Sequence, residues 1–378
     1  MNTLLTTVSL DAKKGGGTAE RTRRLAAHLV SKGHQCEIAT IEDGELAQKL
    51  RQCGVYVYAT GFFRLRFTVP FINPFRLAQS VRRADVIHIL GYWNLLSVAT
   101  ALLASWLGKP YAFSAAGEFV GLNRPRPSAR LFHFLLGKRV IRNASLLIGV
   151  TPLEQRQILE RFRLPAGRVV VVPNGVEEHV EIISDHIESD VPYVLFVGRL
   201  AEVKGPDLLV EAFADVAGEF PDLQLVVAGP DFGMRSILEK FVTKRQLGHR
   251  VVFTGHLGER ERSSAYEQAL FLAVPSRAEA MSLVALEAGV AGTPVLLTDQ
   301  CGFDDVERIG GGLVVPATVE GLRSGLRTLL AERQSLAAKG KALQTYVRGK
   351  FTWPSIVDGL VSHFNSMVAT QRTRDPSR

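Results

Sequence analysis

Two loops in the second half of the chain carry residue types able to hold a diphosphate and a sugar. In Gly198-Arg199-Leu200-Ala201-Glu202-Val203-Lys204-Gly205, two cations five residues apart can approach one anion from two sides, and guanidinium or ammonium bonds to phosphate are strong ones. Taken alone, such a pair fits solvated surface equally well. The second loop runs Pro275-Ser276-Arg277-Ala278-Glu279-Ala280-Met281-Ser282-Leu283, with Glu287 further on. At about 100° per residue, Glu279 and Glu287 would sit ~80° apart on a common helix. Glu279 is therefore placed in the loop and Glu287 two turns along the helix. Between them the amides of Ala280, Met281, Ser282 and Leu283 lie at a positive helix end. Carboxylates that accept hydroxyl hydrogen bonds, beside amides and cations that hold phosphates, suit a sugar nucleotide. Two glutamates at this spacing also fit surface or capping roles; the company of Arg199 and Lys204 is what favours a site.

The elements that must position these residues follow from the pattern around them. Segments rich in β-branched residues alternate with helical patterns along nearly the whole chain, which is the mark of βαβ units and parallel sheets. Ligands of such sheets bind outside the carboxyl ends of the strands. Arg199 follows a strand over Tyr193-Val194-Leu195-Phe196-Val197, and Glu279 follows Phe271-Leu272-Ala273-Val274. Gly229-Pro230-Asp231 and Gly255-His256-Leu257 follow two further strands, and their glycines could admit a flat base; His256 fits an exposed loop histidine equally well. In the first half, Gly15-Gly16-Gly17 stands between a strand over 4–10 and a helix over 19–32. Gly16 and Gly17 there allow close approach to the backbone, although the spacing is not that of a dinucleotide-binding loop.

Residues 192–316 resemble retaining glycosyltransferases of family 4, which have the GT-B fold. The likeness rests on Phe196-Val197-Gly198-Arg199-Leu200 with Lys204-Gly205, Val252-Phe253-Thr254-Gly255, Pro275-Ser276, the Glu279 and Glu287 pair, and Gly292-Thr293-Pro294-Val295. The first half matches more loosely, through Gly16-Gly17, Ala19-Glu20, Gly33-His34 and Pro173-Asn174-Gly175-Val176. The resemblance implies that Glu279 contacts the donor sugar, Glu287 the ribose hydroxyls, and Arg199 and Lys204 the diphosphate. It also implies retention of configuration, by front-face attack within the donor's own ion pair. Two departures stand out. Glu279-Ala280-Met281-Ser282-Leu283 lacks the glycines of the usual Glu-Gly-Phe-Gly-Leu, and Ala116 replaces a histidine common in relatives. A role resting on that histidine would fall to Glu118, His88 or the substrate, or be dispensed with; Gly117 and Glu118 with His88 are the candidates on the acceptor side.

The expected architecture is α/β, with two doubly wound Rossmann-like domains facing a central cleft: residues 1–180 for the acceptor, an acidic linker over 177–190, and 191–350 for the donor. A last helix over 353–368 is expected to pack back on the first domain, with a disordered tail over 370–378. At 378 residues, 46% hydrophobic and 22% charged, the chain is neither disordered nor too short for two cores. Cys36, Cys53 and Cys301 are too few for a disulfide framework or a cysteine-rich metal cluster. No zinc-like histidine spacing appears either, so metal-independent chemistry without a cofactor is expected.

Residues 1–180 hold 24 Lys and Arg against 12 Asp and Glu, and the remainder 21 against 25. A basic first half points to an anionic partner or to solvated surface. The stretch from Phe62 to Arg76, with five phenylalanines and three arginines before Arg82-Arg83, fits peripheral contact with anionic lipid, or a loop with its aromatics turned inward. Arg124-Pro125-Arg126-Pro127 with Arg130 could face an acceptor diphosphate. The expected partners are a nucleotide sugar and a saccharide or polyprenyl-linked acceptor, with no nucleic acid. No secretory signal is visible, and the expected place is the cytoplasm, at the inner membrane face. The uncharged run from Val86 to Gly108 parses as strand, loop and buried helix rather than as a membrane span. A sugar-nucleotide epimerase of the same fold and an inactive sugar-nucleotide-binding protein are the rival readings.

Overall fold

The computed structural model of the chain describes residues 1–11, 14–64, 68–115, 119, 127–177, 191–279, 281–303 and 305–374. Its contacts divide the chain into two units, Met1–Asn174 with Trp353–Arg378, and Gly175–Thr352.

The first unit is built on a seven-stranded sheet of parallel strands. In spatial order these are Tyr56–Ala59, Gln35–Glu42, Asn2–Ser9, Val86–Leu90, Tyr111–Ser114, Leu146–Gly149 and Val169–Val171. The order turns at Asn2–Ser9, the doubly wound arrangement with its switch point beside the first strand. Strands covered on both faces read as continuous apolar runs; Val86–Leu90 is buried at every position. The uncharged run from Val86 continues into the helix Leu95–Trp106, started by the Asn94 side chain accepting from the Ser97 amide. Among the described residues no helix is long and apolar enough to cross a membrane. The helix Trp353–Arg374 sets Trp353, Ile356, Val357, Leu360, Phe364 and Met367 into the same core as Leu5, Leu25 and Leu29. It runs through Thr370, whose hydroxyl donates to the Ser366 carbonyl, so the expected disordered tail is helical as far as Arg374; residues 375–378 lie outside the described ones.

The second unit holds a six-stranded sheet in the order Val251–Gly255, Gln224–Ala228, Tyr193–Val197, Phe271–Val274, Val295–Thr298, Gly312–Val315. All five pairings are parallel. The sheet therefore has the 3-2-1-4-5-6 order of a Rossmann half-pair, and its switch point lies between Tyr193–Val197 and Phe271–Val274. The loops after those two strands are the ones that carry Arg199, Lys204 and Glu279. Helices Pro206–Val216 and Leu283–Ala291 follow them.

Candidate active site

The loop after Tyr193–Val197 and the loop after Phe271–Val274 meet through a glycine. Gly205 has φ +65°, and a Cβ there would lie 2.0 Å from the Pro275 carbonyl oxygen. Only glycine tolerates both the left-handed backbone and that approach. Lys204 is thereby brought to Glu279: its Nζ donates to Oε1 at 2.5 Å, and the Ser276 hydroxyl donates to the same oxygen at 2.6 Å. The Glu279 side chain is 8% exposed and that of Lys204 26%. Oε2 of Glu279 has no partner among the described residues, so it is available to a hydroxyl donor, and an ammonium with three protons can serve Glu279 and a phosphate together.

A second staple across the same two loops escaped the sequence reading. Arg277 donates to both carboxylate oxygens of Asp207, at 2.9 and 2.5 Å, and to the Glu202 carbonyl at 2.6 Å. Hydrogen bonding to Asp207 raises its already high pKa. Arg277 lies between Pro275 and Leu283, but nothing in the spacing separates this role from a solvated arginine.

Arg199 stands on the other side of its loop, exposed, with its guanidinium over the Phe232 ring at 5.2 Å from the centroid. That position is fixed by zipping of neighbouring strand ends. Gly198 donates to the Ala228 carbonyl at 2.9 Å, Leu200 to Pro230 at 2.9 Å, Phe232 to Leu200 at 3.1 Å, and Gly229 to Gly255 at 2.7 Å. Gly229, at φ +145°, sits so close that a Cβ would meet the Gly198 carbonyl oxygen at 1.8 Å. His256 is exposed beyond Gly255.

Ser282 caps the helix Leu283–Ala291, its hydroxyl accepting from the Ala285 amide. The helix thus starts at Leu283, and Glu287 lies one turn in rather than the expected two. One member of the expected amide group is also spent: the Ser282 amide donates to the Cys301 carbonyl at 3.0 Å. The Leu283 and Val284 amides have no acceptor among the described residues. Met281 is buried, and Ala280 lies outside the described residues. Glu287 is held like Glu279, by one oxygen. Tyr266 donates its hydroxyl to Oε2 at 2.8 Å and Arg262 pairs with the same atom at 3.2 Å, while Oε1 has no partner among the described residues.

The first-unit candidates fare differently. Gly16 and Gly17 are exposed at the start of the helix Gly16–Ser31. The tightly packed glycine there is Gly15, where a Cβ would meet Ala19 Cβ at 2.4 Å. His88 is corrected: it is fully buried, bonded through Nε2 to the Ser114 hydroxyl at 2.9 Å and edge-on to Phe364, so no acceptor reaches it. Burial, with a lesser push from Arg21, lowers its pKa to about 3. Gly117 and Glu118, like Ala116 and Arg124 to Arg126, lie outside the described residues. A residue that sequence reasoning missed is Arg21, fully buried, its pKa lowered by burial to about 10. It donates to the carbonyls of Val172 and Pro173 at 2.8 and 2.9 Å and to Asn174 Oδ1 at 2.6 Å. Neighbouring Arg23 and Arg24 look identical in sequence but pair with Glu20.

Comparison with known proteins bears on both units. Residues 16–175 match the family model described as glycosyl transferase 4-like domain, and residues 180–345 that of glycosyl transferases group 1. A D-inositol 3-phosphate glycosyltransferase of Nocardia farcinica is 29% identical over 247 residues, covering 61% of this chain and 54% of the relative. The chain thus spans about half the length of the curated relatives it matches. A glycosyltransferase from Rickettsia africae superposes with a TM-score of 0.80 at 17% identity, covering 97% of this chain and 98% of the other. Anabaena Alr3699/HepE, solved with UDP and glucose, gives 0.76 at 18% identity, covering 97% of this chain and all of that one. With both units matched in order, and with both sheets wound as in those structures, the chain belongs to the glycosyltransferases of the family 4 type with the GT-B fold.

Proposed function

We propose that the chain is a retaining, metal-independent glycosyltransferase that moves a sugar from a UDP- or GDP-sugar to a glycan or lipid-linked saccharide. The observation that carries this reading is the Lys204–Glu279 pair at the carboxyl ends of two adjacent strands, with one oxygen of Glu279 left over. Breaking the bond between sugar and diphosphate builds oxocarbenium character on the sugar and negative charge on the departing phosphate. Donors already in place stabilise that charge without reorganisation. Arg199, Lys204 and the first amides of Leu283–Ala291 are such donors, and they supply the charge that a divalent cation supplies elsewhere. Oε2 of Glu279 takes a donor-sugar hydroxyl, and Oε1 of Glu287 a ribose hydroxyl. The solved complexes of Alr3699/HepE with UDP and with UDP-glucose support a uridine donor by likeness of fold.

In this reading the acceptor belongs to the first unit. Phe63, Phe71 and Phe75 are 59%, 47% and 86% exposed there, which supports peripheral contact with an anionic membrane, at its cytoplasmic face, for a polyprenyl-linked or other lipid-linked acceptor. Leu65, Arg66 and Phe67 lie outside the described residues. Polysaccharide or glycoconjugate biosynthesis is the setting that such substrates define.

A thermal-shift panel of nucleotide sugars, followed by hydrolysis and transfer assays with the best binder, tests the proposal. Glu279→Gln should still bind the nucleotide and lose transfer. Calorimetry that finds no uptake of any nucleoside diphosphate by the wild-type chain would overturn it. Formation of epimerised donor without acceptor would favour the epimerase instead.

A further inference from the structure

The first unit contains a cavity of about 830 Å³ whose lining includes Arg130, Lys138, Arg142, Arg161, Arg163 and Arg168, and no Asp or Glu among the described lining residues. It forms where the helical segment Pro127–Asn143 meets the end of the helix Pro152–Phe162 and the turn that follows. None of these residues belongs to the donor-side loops, and the sequence reading took in only Arg130 of them. Cations gathered at one hollow with no carboxylate among its described lining residues repel one another, and an anion shared among them relieves that repulsion. Arg130, Arg142 and Arg163 are exposed and make no ion pair with a described residue. Arg168 is half-buried: its Nη2 donates to the Arg142 carbonyl at 3.0 Å, while its Nε is buried without a partner.

Two further observations mark the place. His133–Gly137 is a π-helical turn inside the helical segment, a rare form that is frequent at functional sites. His133 lines the cavity, and burial first, then Lys138 and Arg161, hold its ring below the usual histidine pKa, so it faces the cations as a neutral group. Phe134 and Phe162 also line the cavity, and Leu131, Phe134 and Leu135 are 59%, 67% and 51% exposed along the rim helix.

We infer that this cavity is a binding site for a phosphate-bearing ligand, its phosphate held by Lys138, Arg142, Arg163 and Arg168 and its remainder lying along Phe134 and Phe162. Arginine is suited to such a site because its planar fork meets phosphate oxygens in pairs. The phosphate can come from a lipid headgroup or from a soluble phosphate ester, and the test separates the two.

Two probes are used on the full chain: inorganic pyrophosphate by calorimetry, in an Arg199→Ala, Lys204→Ala background that removes the proposed donor clamp, and vesicles of phosphatidylcholine with and without phosphatidylglycerol by sedimentation. Arg142→Gln with Arg163→Gln should weaken the bound probe at least tenfold, while Lys240→Gln with Lys244→Gln, an equal charge loss on the other unit, leaves it unchanged. Lys138→Gln with Arg130→Gln repeats the test should the first pair fail to fold. Pyrophosphate binding lost in the cavity variant assigns a soluble phosphate ester. Phosphatidylglycerol-dependent sedimentation lost in the same variant, without pyrophosphate uptake, assigns a lipid headgroup. The inference is overturned if pyrophosphate uptake is absent or survives the cavity variants and phosphatidylglycerol-dependent sedimentation is likewise absent or survives them, or if only a single-stranded RNA oligonucleotide binds.

Discussion

Replacing Lys204 by alanine separates a phosphate clamp from a merely structural ion pair. In the structure its ammonium lies 2.5 Å from a carboxylate oxygen that is otherwise bonded only to Ser276 among the described residues, and Glu279 is nearly closed to solvent. A charge-assisted bond of this kind contributes ~1.5–3 kcal/mol. With Lys204 still 26% exposed, the share that appears in folding stability falls at the lower end, about 1.5 kcal/mol. If Lys204 also holds the leaving diphosphate, the same range expressed in turnover is a loss of roughly 10- to 150-fold in kcat. The assay is a double-mutant cycle of Lys204→Ala and Glu279→Gln, read both by urea unfolding and by steady-state kinetics at saturating donor. Coupling is expected in both readouts. A kcat near that of wild type for Lys204→Ala, with the stability change intact, would show that the pair only braces the loops, and the clamp would have to be abandoned.

Gly205→Ala should cost on the order of 3 kcal/mol, combining ~1–2 kcal/mol for a left-handed alanine with the overlap on a backbone carbonyl that has no room to turn; calorimetric unfolding with a Tm within about two degrees of wild type would contradict it. His88 makes stability fall in acid. Its pKa is about 3 in the folded chain against about 6.5 unfolded, so the unfolded state binds the extra proton between those values. Stability rises with pH across that window, and ~2 kcal/mol is lost at pH 5 relative to neutral; stability from urea titrations should fall between pH 7 and pH 5 by about that much more in wild type than in His88→Gln, and parallel pH profiles would refute it. Phe71→Ser with Phe75→Ser should reduce flotation with vesicles containing anionic lipid, and unchanged flotation would remove that patch from the membrane reading. Transfer activity should survive exhaustive treatment with EDTA; activity restored only by a divalent cation would show that Arg199 and Lys204 do not suffice.

The placement of Arg199, Lys204 and Glu279 was legible because parallel sheets present loops for ligands at one kind of place, the carboxyl end of a strand. Arg199, Lys204 and Glu279 each follow an apolar run too short for a helix, and that suffices to bring them to one edge. The contacts across loops were not legible. Nothing in the one-dimensional pattern couples Arg277 to Asp207, or Gly205 to Pro275, since these are approaches between backbones whose register only the assembled sheet fixes. His88 misled for a related reason. A histidine in a fully buried strand is as compatible with a polar tip at the strand end as with a ring under a helix, and the helix that covers it lies far along the chain. The basic cavity is scattered over Arg130 to Arg168 and has no local signature. At the first turn of Leu283–Ala291 the pattern marked a helix start but could not show that the Ser282 amide is already taken by the Cys301 carbonyl.

The order in which the parts of this protein are made has a consequence for how the first unit can fold. Six side chains of its core, Trp353 to Met367, are translated only after all of residues 175–352. Until then the faces of Leu5, Leu25 and Leu29 lack their cover, while the second unit already has everything its own sheet requires. The later-made unit is therefore free to finish first, and the nascent first unit waits with that apolar surface open, the condition in which partly folded chains aggregate. Lesions in Trp353–Arg374 should accordingly appear as aggregation during synthesis before they appear as any defect in chemistry.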